Sequence, residues 1–332
     1  MKKYLFVVIG LLQSLVVAAQ APYGYYDAAD GVSGEELKMA LHNIVKGHTS
    51  ISYAQIWNAF WSTDNKGNGV VWDMYSDRPG TPPYTYQLGM DQCGSYDGEG
   101  DCYNREHSWP QSWFNEQSTP RTDMHHIFAT DGYVNGRRGN LPYGEVRSAS
   151  WTSQNGSKIG TCKTPGYTGT VFEPIDEYKG DFARAFMYMS VRYYKEDSGW
   201  GNSDMTDKSE IKPWAINMLL RWNEQDPVSQ KEIDRNNAIY NDYQHNRNPF
   251  VDYPEFANMI WDPTWSVDEN QTWGRADRLV VYDLSGRKLL QENVINEENA
   301  VSSVKNKLKQ GCYLLQLLDG NRILTSRKLL VN

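Results

Sequence analysis

The sequence predicts an α+β chain built in two parts: a mainly helical domain over residues 21–265 and a small all-β, sandwich-like domain over residues 266–332. Three observations predict it. Apolar residues recur at helical spacing through long stretches of the first region, with short strand-like runs between them. After about residue 266 the texture turns to short apolar runs broken by turn residues, the pattern of hairpins. The charge changes at the same place: residues 21–267 carry 21 basic and 33 acidic side chains (−12), while residues 268–332 carry 10 and 8 (+2).

Ahead of both parts, Lys2 and Lys3 precede the apolar run Leu5 to Ala19, and small residues close it at Ala18-Ala19-Gln20. That is the three-part pattern of a secretory signal peptide over residues 1–20, too short and wrongly flanked for a membrane span. No second apolar run follows, so a secreted or cell-surface protein with no stable membrane span is expected. Without the two leader lysines the chain carries 31 basic and 41 acidic residues, a balance of −10. Such a balance disfavours a protein that coats polyanions by bulk charge, but does not exclude an enzyme whose carboxylates hold divalent cations and whose basic groups are concentrated locally. Four cysteines are few for an exported chain, so a packed core rather than a disulfide scaffold is expected. Cys93 and Cys102 are near enough to close a small loop; Cys162 and Cys312 are expected free, and the protein monomeric.

Ser33 followed by Glu36 reads as a capping box, and Leu37, Leu41, Ile44 and Val45 then predict a helix over 33–46 that Gly47 ends. Tyr53 to Trp61 is a second helix. Gly69 to Tyr75 and Tyr84 to Met90 are strand candidates split by Pro79, Pro82 and Pro83, and Gly94 to Gly100 is a loop. Helices are predicted over 181–194, 213–223 and 227–246, the last two opening with a proline suited to a first turn. Residues 254–265 read as irregular and aromatic. In the terminal part, 278–283 and 287–292 form a hairpin around Ser285-Gly286, and 311–319 with 322–331 form another.

Chemistry concentrates between residues 104 and 140. Three of the six histidines, His107, His125 and His126, fall there, and between residues 105 and 147 five arginines (Arg105, Arg121, Arg137, Arg138, Arg147) balance five acids. Glu106 beside His107 joins a hard oxygen ligand to an imidazole able to take a proton near neutrality. Successive strand residues face opposite ways, so the two serve one centre only at a strand end or bend, and Pro110 is consistent with one. Thr130 and Asp131 can cap a short helix that Gly139 stops, carrying Asn135, Arg137 and Arg138. Asn135 offers a neutral amide oxygen to a cation, and Arg138, three residues on, could reach a phosphate beside it. A strand ending in Glu-His, a second strand around Met124 to Ala129 and this helix make a ββα unit.

The runs Asn104-Arg-Glu-His-Ser-Trp-Pro-Gln-Ser-Trp-Phe114, Asp123-Met-His-His-Ile-Phe-Ala-Thr-Asp-Gly-Tyr-Val-Asn-Gly-Arg-Arg-Gly-Asn140 and Pro142-Tyr-Gly-Glu-Val146 resemble the secreted endonuclease I family of ββα-metal nucleases. Asp181-Phe-Ala-Arg-Ala-Phe-Met-Tyr188 and His245-Asn-Arg-Asn-Pro-Phe-Val-Asp252 resemble its later blocks, so the resemblance covers roughly residues 35–262. It implies a nuclease domain built around a ββα-metal finger, with His107 as general base, Glu106 and Asn135 as metal ligands, and Arg121 or Arg138 offsetting transition-state charge. The cofactor implied is Mg²⁺, with Ca²⁺ or Mn²⁺ as alternatives. The substrate implied is DNA, with RNA as an alternative, cut with little sequence preference to leave 5′-phosphate ends. Asp123, His125 and His126 are candidates to support the ligands from behind, and Arg105, Trp109 and Arg137 to contact nucleic acid. Trp113, Arg147, Arg184 and Arg247 are weaker contact candidates, each weighed against a core or surface role. Most cysteines of the heavily disulfide-bonded members are absent. The terminal domain, with Val281-Tyr-Asp-Leu-Ser-Gly-Arg287 and Arg327-Lys-Leu-Leu-Val331, resembles the sorting domain of the type IX secretion route, which implies an export signal recognised by that machinery. Two other readings stay open on the residues alone: a zinc metallohydrolase held by His107, His125 and His126, and a non-enzymatic carbohydrate-binding or adhesion protein.

Overall fold

A fourteen-residue helix that is buried along its whole length, Lys179–Arg192, runs through the larger part of the protein. The computed structural model describes residues 21–22, 24–262, 277–283, 287–294, 297–319 and 322–331. The leader at 1–20 and the Ser285-Gly286 turn lie outside these. The chain divides into two compact units, Met1–Pro263 and Thr264–Asn332. In the first unit α1 (Gly34–Val45) and α2 (Gln55–Thr63) form where the periodicity puts them. Ser33 stands extended before α1, but its side chain makes no capping bond. The capping box forms instead at Ser229 and Glu232, each satisfying the other's backbone N–H at the start of the Gln230–Ala238 helix.

The strands expected at 69–75 and 84–90 are not formed; single bridges, Asn65 to Val71 and Val70 to Gln87, are all the pairing they make. Asp73 explains this, because its carboxylate accepts the backbone N–H groups of Tyr75 (2.9 Å) and Ser76 (3.2 Å), a local turn that competes with a ladder. The apolar side chains of these runs, Val71, Trp72, Tyr75, Tyr86 and Leu88 among them, are still buried.

The regular pairing lies further on. β1 (Tyr103–His107) pairs antiparallel with β2 (Ile127–Asp131), matching Glu106 with Phe128 and His107 with Ile127. The short helix α3 (Ser118–Arg121) sits in the loop between them, and α4 (Gly132–Arg138) follows β2 directly. A three-stranded sheet that the sequence reading did not anticipate comes next, β3 (Val146–Thr152), β4 (Lys158–Cys162) and β5 (Thr170–Glu173). The buried helix is α5 (Lys179–Arg192), followed by α6 (Pro213–Gln225) and α7 (Gln230–Ala238). The helix expected over 227–246 is thus shorter, and it continues as a π-helical turn over Ile239–Gln244. Residues 254–262, expected irregular, include the helix Phe256–Trp261.

The β1–β2 ribbon is wedged between two apolar cores, and every residue of β2 is buried. Phe128 joins Trp109, Phe182 and Phe186 on one side, whereas Tyr103, Ile127 and Ala129 join Ile56 and Phe60 on the other. Cross-strand partners share a face of the pleat, so Glu106 belongs to the side of Phe128 and His107 to the side of Ile127. Arg235 from α7 fixes the start of β2 by donating to the carbonyls of Met124 (2.7 Å) and Ile127 (2.5 Å).

The second unit is a four-stranded antiparallel sheet in which the expected hairpins are neighbours: β6 (Arg278–Tyr282) with β7 (Lys288–Asn293), and β8 (Gly311–Asp319) with β9 (Arg322–Val331). It is not all-β. A helix at Glu297–Lys307 places Ala300 and Val304, four residues apart, against Leu279, Val281, Leu315 and Leu317. That face covers the sheet where a sandwich would need a second sheet. Among the described residues no helix is long and apolar enough to cross a membrane.

Candidate active site

β1 ends at His107, which is the strand-end placement that adjacent Glu and His need to serve one centre. Behind the ribbon, α4 starts on Asp131, whose Oδ1 accepts the Val134 N–H at 2.7 Å. Gly139 ends the helix at φ 53°. The other Asp131 oxygen accepts the Tyr86 hydroxyl (2.5 Å) and the Gly100 N–H (2.9 Å), so the cap is itself held. The expected disulfide Cys93–Cys102 is formed, and its Cys93 sulfur lies where a β-carbon on Gly132 would stand. Glycine is required there by close approach. Cys162 and Cys312 are free.

Glu106 is 2% exposed. Its Oε1 accepts the Tyr75 hydroxyl at 2.7 Å and Arg138 Nη1 at 3.0 Å, and the Tyr143 hydroxyl lies 2.7 Å from that of Tyr75. Oε2 makes no hydrogen bond among the described residues. Burial pushes the Glu106 carboxyl up to about 7, against the pull of the Arg138 guanidinium.

His107 Nε2 lies 3.0 Å from the backbone carbonyl of Arg121. A carbonyl only accepts, so Nε2 carries the hydrogen and the neutral ring holds its lone pair on Nδ1. Nδ1 has no partner among the described residues. Burial, then the neighbouring His126 and Arg105 and Arg121, depresses His107 to about 3, which keeps the ring neutral with its Nδ1 lone pair unprotonated. The ring stacks on Tyr53 with centroids 6.0 Å apart. Tyr53 in turn carries two guanidiniums, Arg105 at 3.7 Å and Arg121 at 4.5 Å from its ring centre. Arg121 also donates from Nε to Gln111 at 3.0 Å.

Several expected roles change. Arg138 does not reach outward toward a phosphate: it is 1% exposed, and besides Glu106 it binds the carbonyls of His107 (3.1 Å) and Ser108 (2.7 Å). The helical spacing from Asn135 was read correctly, but the helix turns Arg138 inward and leaves Asn135 half-exposed, with no side-chain hydrogen bond among the described residues. Trp109 and Trp113 are core residues, Trp109 packing on Phe186 at 5.0 Å and on Trp200 at 5.7 Å. His125 and His126 lie in a 3₁₀ turn, Met124–His126, rather than on a strand, so both rings are buried instead of one facing out. His125 Nε2 bonds the Asn246 carbonyl (3.2 Å) and His126 Nε2 the Pro120 carbonyl (2.7 Å). Asp123 is fully buried and accepts from Tyr188 (2.9 Å), Tyr193 (3.0 Å) and Gln244 (3.0 Å), anchoring that turn to α5. Arg184 and Arg247 are buried ion-pair partners of Glu232 and Asp252, not phosphate contacts. Arg137 and Arg147 are exposed, Arg137 over Trp151. Among the described residues no three His, Cys, Asp or Glu side chains converge as a metal cage, which removes the geometric basis of a three-histidine zinc site. Tyr53, Tyr75 and Tyr143 were missed. Tyr53 and Tyr75 sit in segments remote in sequence from the motif, and Tyr143, although within the Pro142–Val146 run, carries no charge; an aromatic residue at any of the three reads as core.

Residues 33–255 match the family model described as Endonuclease I. The chain belongs to that family. Residues 265–332 match the secretion-system C-terminal sorting domain, so the nuclease is an exported protein, secreted or displayed at the cell surface. It is 40% identical over 248 residues to the extracellular ribonuclease of Bacillus amyloliquefaciens, covering 71% of this chain and 78% of the relative. A similar protein from Bacillus subtilis (strain 168), also named extracellular ribonuclease, is 39% identical over 76% of this chain and 84% of its own. An Endonuclease-1 from Buchnera aphidicola subsp. Baizongia pistaciae is 29% identical over 39% of this chain and 46% of its own.

Proposed function

We propose that the nuclease hydrolyses phosphodiester bonds of both DNA and RNA with little sequence preference, leaving 5′-phosphate ends, and that it uses a divalent cation, Mg²⁺ by preference, with Ca²⁺ or Mn²⁺ as alternatives. The observation that carries this reading is the bond from His107 Nε2 to the Arg121 carbonyl, which leaves Nδ1 without a partner among the described residues, at the end of a strand whose preceding residue is a carboxylate. The donor set fits a hard cation: Glu106 Oε2 and the Asn135 amide oxygen are oxygens without a protein partner among the described residues, and water completes such a shell. When bound, the cation would stabilise charge on the phosphate and the leaving oxygen.

The protein's own residues do the rest. His107 Nδ1 takes a proton from the attacking water, and the Arg121 carbonyl keeps the ring in the tautomer that can do so. Tyr75 and Arg138 hold the Glu106 carboxylate by one oxygen, which fixes the direction of the other. Arg121, half-buried and laid on Tyr53, is the arginine that offsets charge accumulating on phosphorus; it replaces Arg138 in that role. Because the base acts on water, no 2′-hydroxyl is needed, and RNA and DNA are both substrates. The names of the two Bacillus relatives support RNA. We assign catalysis to residues 21–265 of a monomer, and to residues 266–332 the export address, cleaved after use.

The test is digestion of plasmid and of structured RNA with a metal series. Activity disappears in EDTA and returns with Mg²⁺, and His107→Ala loses several orders of magnitude in rate while staying folded. Cleavage that persists in EDTA, or RNA products ending in 2′,3′-cyclic phosphate, would overturn the mechanism.

A further inference from the structure

One surface continuous with the site is built unlike the rest of this acidic protein. Residues 49–63 contain no Asp, Glu, Lys or Arg, although the unit around them carries a net −12. Within that stretch Tyr53, Trp57 and Trp61 recur every fourth residue. On α2 this places Trp57 and Trp61 along one face at a rise of roughly 6 Å, with Tyr53 in the turn just before the helix. The line begins at His107, on which Tyr53 stacks, and Arg105 bridges its first two rings, 3.7 Å from Tyr53 and 4.4 Å from Trp57. Tyr53 and Trp57 are half-buried; Trp61 is 50% exposed, with Met90 another of the few large apolar side chains in contact with solvent. Trp61 is nevertheless not loose. The outer carbons of its ring lie 3.4 and 3.5 Å from where β-carbons of Gly69 and Gly89 would stand, so the ring rests against bare backbone while half of the residue stays exposed.

We infer that the outer edge of α2 is a stacking rail for a single-stranded stretch of the substrate, Trp57 and Trp61 meeting successive bases while Arg105, laid on Trp57 and on Tyr53 at the catalytic end, meets the phosphate that leads from the rail to His107. This rests on the nucleolytic reading of His107. The absence of charge on the helix removes the repulsion a polyanion meets elsewhere on this unit, and Arg105 supplies the complementary sign. The ring spacing matches an unstacked, extended strand rather than duplex bases, which follow each other at about 3.4 Å along one strand. Aromatic side chains held in place in advance lose little freedom on binding, and stacking one base on such a ring strengthens binding about tenfold. Contacts of this kind read no base edge, so the rail favours unpaired regions of RNA or DNA without favouring a sequence.

The experiment uses the mature protein in two measurements. Affinity for a fluorescent single-stranded dodecamer is measured in EDTA, where no catalysis intervenes. Trp61→Ala weakens it about tenfold, and Trp61→Phe, which keeps a flat ring, stays within about twofold of wild type. Hydrolysis of the dodecamer and of a trinucleotide is then compared with Mg²⁺: Trp61→Ala raises KM for the dodecamer alone and leaves kcat in place. Unchanged dodecamer affinity in Trp61→Ala overturns the rail, as does an equal KM effect on both lengths. A shift in sedimentation that Trp61→Ala abolishes overturns it too, by assigning the face to a second copy of the chain. If the enzyme proves inactive on every substrate the catalytic reading falls, and the affinity measurement still decides the rail.

Discussion

Replacing Arg138 by Met separates two roles for that residue. The guanidinium is 1% exposed and makes three hydrogen bonds, to Glu106 Oε1 at 3.0 Å and to the carbonyls of His107 and Ser108 at 3.1 and 2.7 Å. Methionine fills much of the volume but offers none of them. Glu106, 2% exposed, would keep only the Tyr75 hydroxyl, and breaking a buried pair by removing one partner costs about 3–5 kcal/mol. In a unit of this size each kcal/mol moves the melting temperature by roughly 2–4 °C, so Arg138→Met should melt on the order of 10 °C lower. Thermal melts followed by circular dichroism in EDTA measure this without interference from a bound cation. The double variant Glu106→Gln with Arg138→Met leaves no buried charge and should recover part of the loss, a coupling of about 1–3 kcal/mol. A variant that melts within about 2 °C of wild type but has lost its rate would refute the reasoning and return Arg138 to the phosphate.

Arg121→Ala should show the reverse pattern, a rate about 10²–10³ lower with a nearly unchanged melt, because the side chain is half-exposed and its loss strands no buried charge; single-turnover kinetics beside a melt check it. Replacing Cys93 and Cys102 together by Ser removes a cross-link across nine residues and should cost about 2–3 kcal/mol in chemical denaturation. Since the Cys93 sulfur abuts Gly132, the same variant should loosen the start of α4, read as faster amide exchange at Val134. Trp109→Ala should destabilise by about 3–5 kcal/mol through a core cavity while leaving KM of the folded fraction unchanged; a raised KM with an unchanged melt would restore it to the substrate surface.

Much of the candidate site was legible because its parts lie within short windows. Glu106-His107 before Pro110, and Asp131-Gly132 opening a helix that Gly139 closes, are local signals, and the structure forms the strand end and the cap they call for. Where a role depended on the face a side chain presents, spacing alone failed. Arg138 and Asn135 are three residues apart on α4, yet one is buried and the other half-exposed, since the side of a helix that turns inward is set by what it packs against. His125 and His126 were expected to alternate across a strand; a 3₁₀ turn held by Asp123 buries both. In the terminal unit the four strands were readable from their alternation, whereas the Glu297–Lys307 helix, polar over most of its length, was not.

By itself the sequence determined the α+β class, the change of character near residue 265, the export address, the family and the short motif that carries a carboxylate, an imidazole and an amide. Those properties depend on composition and on neighbours a few positions apart. Only the tertiary structure decided which proton His107 keeps, which arginine neutralises Glu106 and which stays available, and that Tyr75 and Tyr53 belong to the site at all. Each of these is a contact between segments 14 to 54 positions apart. Such contacts come from burying two apolar cores on either side of one ribbon, and no local pattern encodes which polar groups meet when those cores close.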